Sequence, residues 1–329
     1  MKTIILSFDY ELFFGERSGT VVKSIIEPTN MLMDVMEQNG MRGNFFVDYL
    51  MFRELEEQAE SRAQADLAML KEQIRDMVRR GHRIELHLHP HWIDARYNGD
   101  GTWNFDDYTH YSLSSLDEET IVEMFKDGTA YLTALAREVQ HDYKILSFRA
   151  GGWAVQPFSN LKEAFEICNI KLDSSVAYKT FGRQENSEYN FIGAPSKEMY
   201  CFCDDVCLES ESGPFLEVPI YTIQRNMFDK IVDKLLRILT PFFRQYSNGT
   251  HFRQEGEGNN DLLSDIKSDR SMFCVSFLNT ISLILHLILV RKRQTVCLID
   301  HPKDINPIAL FNIRILGYFS KSVQYKDLL

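Results

Sequence analysis

Short apolar runs alternate along the chain with longer amphipathic stretches. Residues 3–8 (TIILSF) are apolar and stop abruptly at Asp9, which marks a buried strand ending in charge. Pro28 as a first-turn residue, Met31, Val35 and Met36 at helical spacing, and Gly40 as a stop predict a helix between them. Residues 44–47 (NFFV) read as a second strand. Residues 55–80, rich in Glu, Ala, Gln, Leu and basic side chains and ending at Gly81, predict one long exposed helix. Residues 83–88 (RIELHL) read as the third strand. Ser115 and Glu118 have the spacing of a capping box before a helix that reaches about Val139. Further strands are predicted at 145–148, 170–173, 216–219 and 295–299. Strand, helix, strand in repetition predicts a parallel sheet or barrel whose site lies at the C-terminal ends of the strands. There is no internal repeat. Residues 247–269, polar and glycine-bearing, are expected to be a flexible insertion loop rather than a domain linker.

Composition narrows the function classes. The 329 residues carry 36 basic and 47 acidic side chains, a net charge of −11, with 44% hydrophobic residues. That is an ordinary globular composition, and its acidity argues against a protein whose task is to grip nucleic acid. Six cysteines are too sparse for a disulfide framework, and the first residues lack the pattern of a signal peptide, so a cytoplasmic setting is expected. Residues 272–290 (MFCVSFLNTISLILHLILV) are nearly apolar between Asp269-Arg270 and Arg291-Lys292-Arg293. The run is just long enough for a membrane span. Asn279, Thr280, Ser282 and His286 would be costly in hydrocarbon, so a buried core helix is favoured over a membrane span, and peripheral contact with the inner face of the membrane is the minority reading. Cys201, Cys203 and Cys207 (CFCDDVC) do not match a zinc-knuckle spacing and read as alternating positions of a strand.

Four predicted strand ends carry the chemistry: Asp9 and Glu11 in SFDYE, His87, His89 and His91 in HLHPHW, Arg149 in SFRAGGW, and His301 in LIDHPKD. If the backbone turns helically after the third strand, the spacing of four brings His87 and His91 to one side, close enough to chelate one ion. Two imidazoles, a carboxylate from Asp9 or Glu11 and a free position describe a catalytic zinc site, where a bound water has a pKa of about 7. The remaining carboxylate is then placed as a general base.

The ordered set SFDYE, GHRIELHLHPHW, SFRAGGW, the aspartate of LDSSV, and LIDHP resembles the five motifs of the polysaccharide deacetylases, a carbohydrate esterase family. The motifs run from Asp9 to His301, most of the chain. The resemblance implies a distorted (β/α) barrel of the α/β class, a single domain over residues 1–329 with loop insertions. It further implies a divalent metal cofactor, zinc being the expected ion, and a carbohydrate substrate from which an N-acetyl group is hydrolysed. Carried across by position, Asp9 matches the catalytic base, Glu11, His87 and His91 the metal ligands, and Arg149 the arginine that orients the base. His301 matches the histidine that protonates the leaving amine, and Asp173 the acid that tunes it. Tyr10 separates the two acids, as in one subgroup of the family. Ala150-Gly151-Gly152-Trp153 replaces the family's prolines, so the backbone N–H of Gly152 or of Trp153 is the candidate oxyanion donor. Trp92, Trp153 and Trp103 are candidate platforms for a sugar face. His89 is an extra histidine, and HLH is also similar to the His-x-His of amidohydrolase and metal-dependent phosphoesterase barrels, which place that pair after the first strand. The same motifs are compatible with deformylation or deacetylation of a lipid-linked sugar, and with a catalytically inactive carbohydrate-binding barrel.

Overall fold

A computed structural model describes residues 2–184, 186–224, 227–251, 270–289 and 293–329. Nine strands form the main sheet: β1 (Lys2–Tyr10), β2 (Gly43–Asp48), β3 (Arg83–Leu88), β4 (Ser147–Ala150), β5 (Leu172–Asp173), β6 (Tyr200–Phe202), β7 (Phe215–Glu217), β8 (Thr295–Asp300) and β9 (Ser320–Ser322). Their order is β6-β7-β5-β4-β3-β2-β1-β8, with β9 pairing beside the start of β1. All pairings are parallel except that of β6 with β7. Just past β7, Ile220 bridges both Ala177 and Cys297 of β8, and this curls the sheet into a closed, distorted (β/α) barrel.

The period of two along β1 sorts its side chains. Ile4, Leu6, Phe8 and Tyr10 face outward into the large core between barrel and helices, whereas Ile5 faces inward. The barrel interior is a small plug of Ile5, Phe46, Leu172, Val218, Cys297 and Tyr325. Above the plug, on the same inward face of β1, come Ser7 and Asp9, so the apolar interior gives way to polar groups at the strand C-termini.

The outer layer consists of α1 (Glu27–Gln38), α2 (Tyr49–Glu56), α3 (Ser61–Arg79), α4 (Glu118–Arg137), α5 (Ser159–Cys168), α6 (Met227–Leu239), α7 (Thr280–Leu289) and α8 (Pro307–Phe319). Three expectations are corrected. The single helix over 55–80 is two helices, because α2 buries Leu50, Met51 and Phe52 directly after β2 while α3 starts a new apolar stripe. At the break Gln64 Nε2 donates to the carbonyls of Gln58 (2.6 Å) and Leu55 (3.3 Å), satisfying groups that a continuous helix would have paired. The cap of α4 is Asp117, which accepts from the Thr120 N–H at 2.8 Å, while Ser115 turns back to the Ser112 carbonyl. The apolar run 272–290 is not one core helix: Arg270–Met272 forms a strand with Thr222–Gln224, and only α7 is helical. Among the described residues no helix is long and apolar enough to cross a membrane. Of the expected insertion 247–269, residues 252–269 lie outside the described residues. Residues 247–251 pack on the barrel mouth, where Asn248 Oδ1 accepts from the Thr20 N–H at 3.0 Å.

Candidate active site

A cavity of about 500 Å³ opens at the C-terminal ends of the strands, bordered by Asp9, Glu11, Tyr111, Trp153, His301 and Lys303. Asp9 and Glu11 are two residues apart on an extended segment, so both enter the cavity, while Tyr10 turns outward and donates its hydroxyl to Gln73 at 2.8 Å. Asp9 is held by Arg149, whose Nη1 lies 2.6 Å from Oδ1. Arg149 is fully buried and is itself fixed from several sides: Nε donates to the Ser174 carbonyl (2.7 Å), Nη2 to Ser7 Oγ (2.8 Å), and its guanidinium lies over the Phe46 ring at 4.2 Å. Burial opposes its charge, but Asp9 more than compensates, and Arg149 stays protonated.

Glu11 is the hub of the second cluster. Its Oε2 lies 3.0 Å from His87 Nε2 and 2.6 Å from His89 Nε2, and its Oε1 lies 2.7 Å from Lys303 Nζ. Burial alone would raise the Glu11 pKa, yet the Lys303 ammonium and the two imidazoles hold it well below the usual carboxylate range. His87 Nδ1 donates to the Arg149 carbonyl oxygen at 2.7 Å, which fixes the ring and directs Nε2 into the cluster. For His87 too burial opposes the charge, and Asp9 and Glu11 outweigh it, raising the pKa to about 9. Beneath the imidazoles Asp48 accepts from Trp92 Nε1 (2.6 Å) and from the His89 N–H (3.3 Å), and burial pushes its carboxyl up to about 7.

The grouping of His87 with His91 expected from a helical turn does not occur. The chain stays extended through His89, where φ is −115° and ψ is 95°, and turns only at Pro90. The strand period of two therefore aligns His87 with His89, and Glu11, His87 and His89 form one group of potential ligand atoms within 4.8 Å of one another; among the described residues Asp300, His301 and Asp304 form the other. His91 sits one step away in an aromatic pocket, stacked on Tyr111 at 5.4 Å and edge-on to Phe14 at 4.0 Å. Among the described residues, neither of its ring nitrogens nor Nδ1 of His89, all buried, has a hydrogen-bond partner. Orphaned imidazole nitrogens beside a carboxylate are costly unless a ligand takes them. The donor set, nitrogen plus one carboxylate, fits a divalent ion of the zinc type. Lys303 occupies the remaining Glu11 oxygen as a resident cation.

His301, at the end of β8, faces Asp9. Its Nε2 lies 3.7 Å from Asp9 Oδ2 and 3.7 Å from Glu11 Oε1, and its Nδ1 lies 3.2 Å from Asp304 Oδ2. A short 3₁₀ turn, Pro302–Asp304, folds Asp304 back under the ring. Burial disfavours the charged imidazole, but the ion pair with Asp304 and the charge of Asp9 raise its pKa overall. Asp304 also accepts from His251 Nε2 at 2.6 Å, and the two imidazoles hold it well below the carboxylate range in spite of burial. The acid next to His301 is thus Asp304, not Asp173. Asp173 lies in β5 and accepts from the Ser175 N–H (2.9 Å) and hydroxyl (2.8 Å). This pins Ser174, whose carbonyl and hydroxyl anchor Arg149. Asp173 also lies beside Glu217, whose carboxyl is pushed well above its usual range by burial and by the neighbouring anion.

Gly152 and Trp153 line the cavity, both with positive φ (57° and 58°). Gly151 permits the approach of the histidine strand: a Cβ there would lie 2.5 Å from the Leu88 carbonyl oxygen and 2.7 Å from His89 Nδ1. Trp92 and Trp103 are not sugar platforms. Trp92 is fully buried and packs edge-on against Trp103 at 5.0 Å, because its N–H is used on Asp48. Sequence reasoning missed Lys303 and Asp304 as site residues, although both stand in the LIDHPKD string; only the 3₁₀ turn shows that they point back into the cavity.

No family model matches the chain, and no curated protein sequence matches it. Solved structures do. A protein from Mycobacterium smegmatis assigned as a polysaccharide deacetylase superposes with a TM-score of 0.51 at 13% identity, covering 99% of this chain and 88% of that one. The 4-alpha-glucanotransferase of Thermococcus litoralis gives the same TM-score, 0.51, at 12% identity, covering 99% of this chain; the present chain spans only 40% of that enzyme's length. A peptidoglycan N-acetylglucosamine deacetylase follows at a TM-score of 0.41 and 10% identity, covering 99% of this chain and 87% of its own. The first two likenesses establish the (β/α) barrel fold, and because they carry different chemistries the site has to decide between them.

Proposed function

We propose that the chain is a metal-dependent hydrolase that removes an N-acetyl group from an amino sugar of a glycan or glycan precursor. The observation that carries the reading is a base and an acid poised across one cavity. Asp9 is ion-paired with Arg149, His301 lies against Asp304, and Asp9 Oδ2 and His301 Nε2 lie 3.7 Å apart. In the reaction Asp9 takes the proton of an attacking water whose oxygen bonds to the carbonyl carbon. His301 gives its Nε2 proton to the departing sugar nitrogen as the C–N bond breaks, so that a free amine and acetate leave. Glu11, His87 and one of His89 and His91 would hold the ion. When bound, a divalent ion supplies Lewis acidity toward a carbonyl oxygen. The backbone N–H of Gly152 or Trp153 is available for the oxyanion.

Glycosyl transfer fits less well. It requires a carboxyl group that is neutral enough to protonate a glycosidic oxygen, whereas Asp9 and Glu11 are each paired with a buried cation at 2.6–2.7 Å, and Asp300, which burial raises to about 6, has both oxygens taken by the N–H groups of Val275, Ser276 and His301 and the Ser276 hydroxyl. A second reading rests on His87 and His89 facing the same carboxylate, which is also what a His-x-His phosphoesterase requires. The experiment is to measure acetate, formate and phosphate release from N-acetylated oligosaccharides, an N-formyl sugar and an aryl phosphate, with and without a chelator. Acetate release that the chelator and His87→Ala abolish is the expected result. Release indifferent to both, or phosphate release alone, overturns the proposal.

A further inference from the structure

The C-terminal helices turn their apolar faces to solvent. Of the 21 large hydrophobic side chains exposed among the described residues, 14 fall in residues 227–246, 270–293 and 305–322, under a fifth of the chain. In α6 the amphipathic pattern is inverted. Ile231, Leu235 and Ile238, on one stripe at helical spacing, are 49%, 51% and 68% exposed, while Asp233 on the opposite face is 3% exposed and bonds inward to Asn279. In α7 both faces are apolar: Leu283 and Leu287 are buried in the core, and an outer stripe is left bare. Ile281, Leu285 and Ile288 of α7 are 69%, 48% and 48% exposed, while Asn279 and Ser282 point inward. The Thr280 hydroxyl donates to Asn312 of α8 at 2.7 Å, so polar contacts tie the three helices together from below and leave the apolar side open. An apolar surface of this extent marks an interaction site.

Charge identifies what covers it. The same three segments hold ten basic and two acidic residues, while the rest of the chain holds 26 basic and 45 acidic. Among the described side chains Arg244, Arg314 and Lys321 are exposed and Lys230 and Lys234 half-buried among these Ile, Leu and Phe, whereas Arg270 and Arg293 turn to the Tyr178 ring. A basic and apolar surface on an otherwise strongly anionic molecule has the composition of one that seats in the headgroup region of an anionic bilayer. Phe277, 39% exposed and just ahead of α7, is part of the cavity wall, while Ile288 and Phe319 lie beside Lys2 at the other end of β1, so the face runs along the side of the barrel. We infer that α6, α7 and α8 form a peripheral docking surface for membranes rich in anionic lipid.

The test is sedimentation of the full chain with sucrose-loaded vesicles, either phosphatidylcholine alone or an equimolar mixture with phosphatidylglycerol. The chain is expected to pellet with the anionic vesicles and to stay in solution with phosphatidylcholine. Two exposed positions, Leu235→Ser and Leu285→Ser, sit outside the site, and a variant carrying both should retain its circular dichroism spectrum. It is expected to lose partitioning by at least about tenfold, as the withdrawal of two apolar anchors from lipid implies. The inference is overturned if the chain ignores both vesicles, if it binds both equally, or if the double variant binds as the native chain does. A concentration-dependent dimer in sedimentation equilibrium that the double variant abolishes overturns it in favour of a self-association face.

Discussion

Lys303→Met separates the two roles that a buried ammonium plays next to Glu11. The thioether chain keeps the apolar stem that packs over Phe13 and Phe14 (5.3 and 4.9 Å) and removes only the charge and its bonds to Glu11 Oε1 (2.7 Å) and the Leu12 carbonyl (2.8 Å). At 2.7 Å the gross attraction is about 6 kcal/mol with an effective dielectric constant of roughly 20. Desolvation offsets much of this, and breaking a buried pair costs about 3–5 kcal/mol. Because His87 and His89 still serve the other Glu11 oxygen, the low end applies, and the metal-free variant should lose about 3 kcal/mol in urea unfolding. The same change frees Glu11 for an ion and removes a positive neighbour. Calorimetric titration with zinc or cobalt should therefore show affinity at least about tenfold higher in the variant, a gain of about 1.4 kcal/mol or more. Added metal should then restore more stability to the variant than to the native chain. A variant as stable as the native protein, or one that binds metal no more tightly, refutes the view that Lys303 is a resident cation competing for Glu11.

Three further outcomes are expected. His301→Ala should lower kcat for acetate release by roughly a hundredfold to ten-thousandfold, the typical contribution of a general acid; Asp304→Asn, which keeps the ring but loses its anion, should fall between that variant and the native chain, whereas equal rates in all three would dismiss both residues. Gly151→Ala should displace His89 and cost roughly 1–3 kcal/mol of stability, because its Cβ meets a backbone carbonyl at 2.5 Å; a crystal structure of the variant with His89 unmoved contradicts this. His82 is buried, accepts from the Gly43 N–H at 3.0 Å, and is pushed by burial down to about 4. Its unfolded pKa is near 6.5, so the unfolded chain takes up the proton first on acidification. The stability contribution is complete above pH 6.5 and declines as pH falls toward 4, by up to about 3 kcal/mol. Urea midpoints for the native chain and His82→Gln across that window should show the slope disappear in the variant.

The barrel was legible because its strands are buried on both sides and therefore read as apolar runs that end in charge. The pairing of Asp9 with Glu11 on one face was legible for the same reason, since any two residues flanking one strand position share a side. What failed was the choice of period beyond a strand end. His87 with His91 assumes a helical turn; the chain instead stays extended for two more residues, so His89 takes the place beside Glu11. The tuning acid was misplaced because the match of LDSSV to a motif says nothing about distance. Asp173 acts at one remove, through Ser174 and Ser175 on Arg149, while Asp304, three residues from His301, touches the imidazole through a turn that neither hydrophobicity nor spacing announces. Trp92 shows the same limit: a tryptophan beside ligand histidines is a substrate platform or a core residue according to where its N–H finds a partner, and here that partner is Asp48.

The balance of charge in the site bears on how metal and folding are linked. Asp9 and Glu11 would each be costly to bury alone, and each already has a cation from the chain itself, Arg149 and Lys303. Charge compensation in the barrel is therefore complete within the chain, unlike small domains in which a metal supplies the folding free energy. The two cations differ in consequence. Arg149 is enclosed by Ser7, Ser174, Tyr325 and Phe46, so it cannot leave and only orients Asp9. Lys303 sits on a flexible stem at the cavity wall and shares Glu11 with the imidazoles, so an ion entering the cluster meets a group that can yield. A guanidinium enclosed on every side holds Asp9 in place, whereas the ammonium of Lys303 is the group that an ion at the proposed site would have to displace from Glu11.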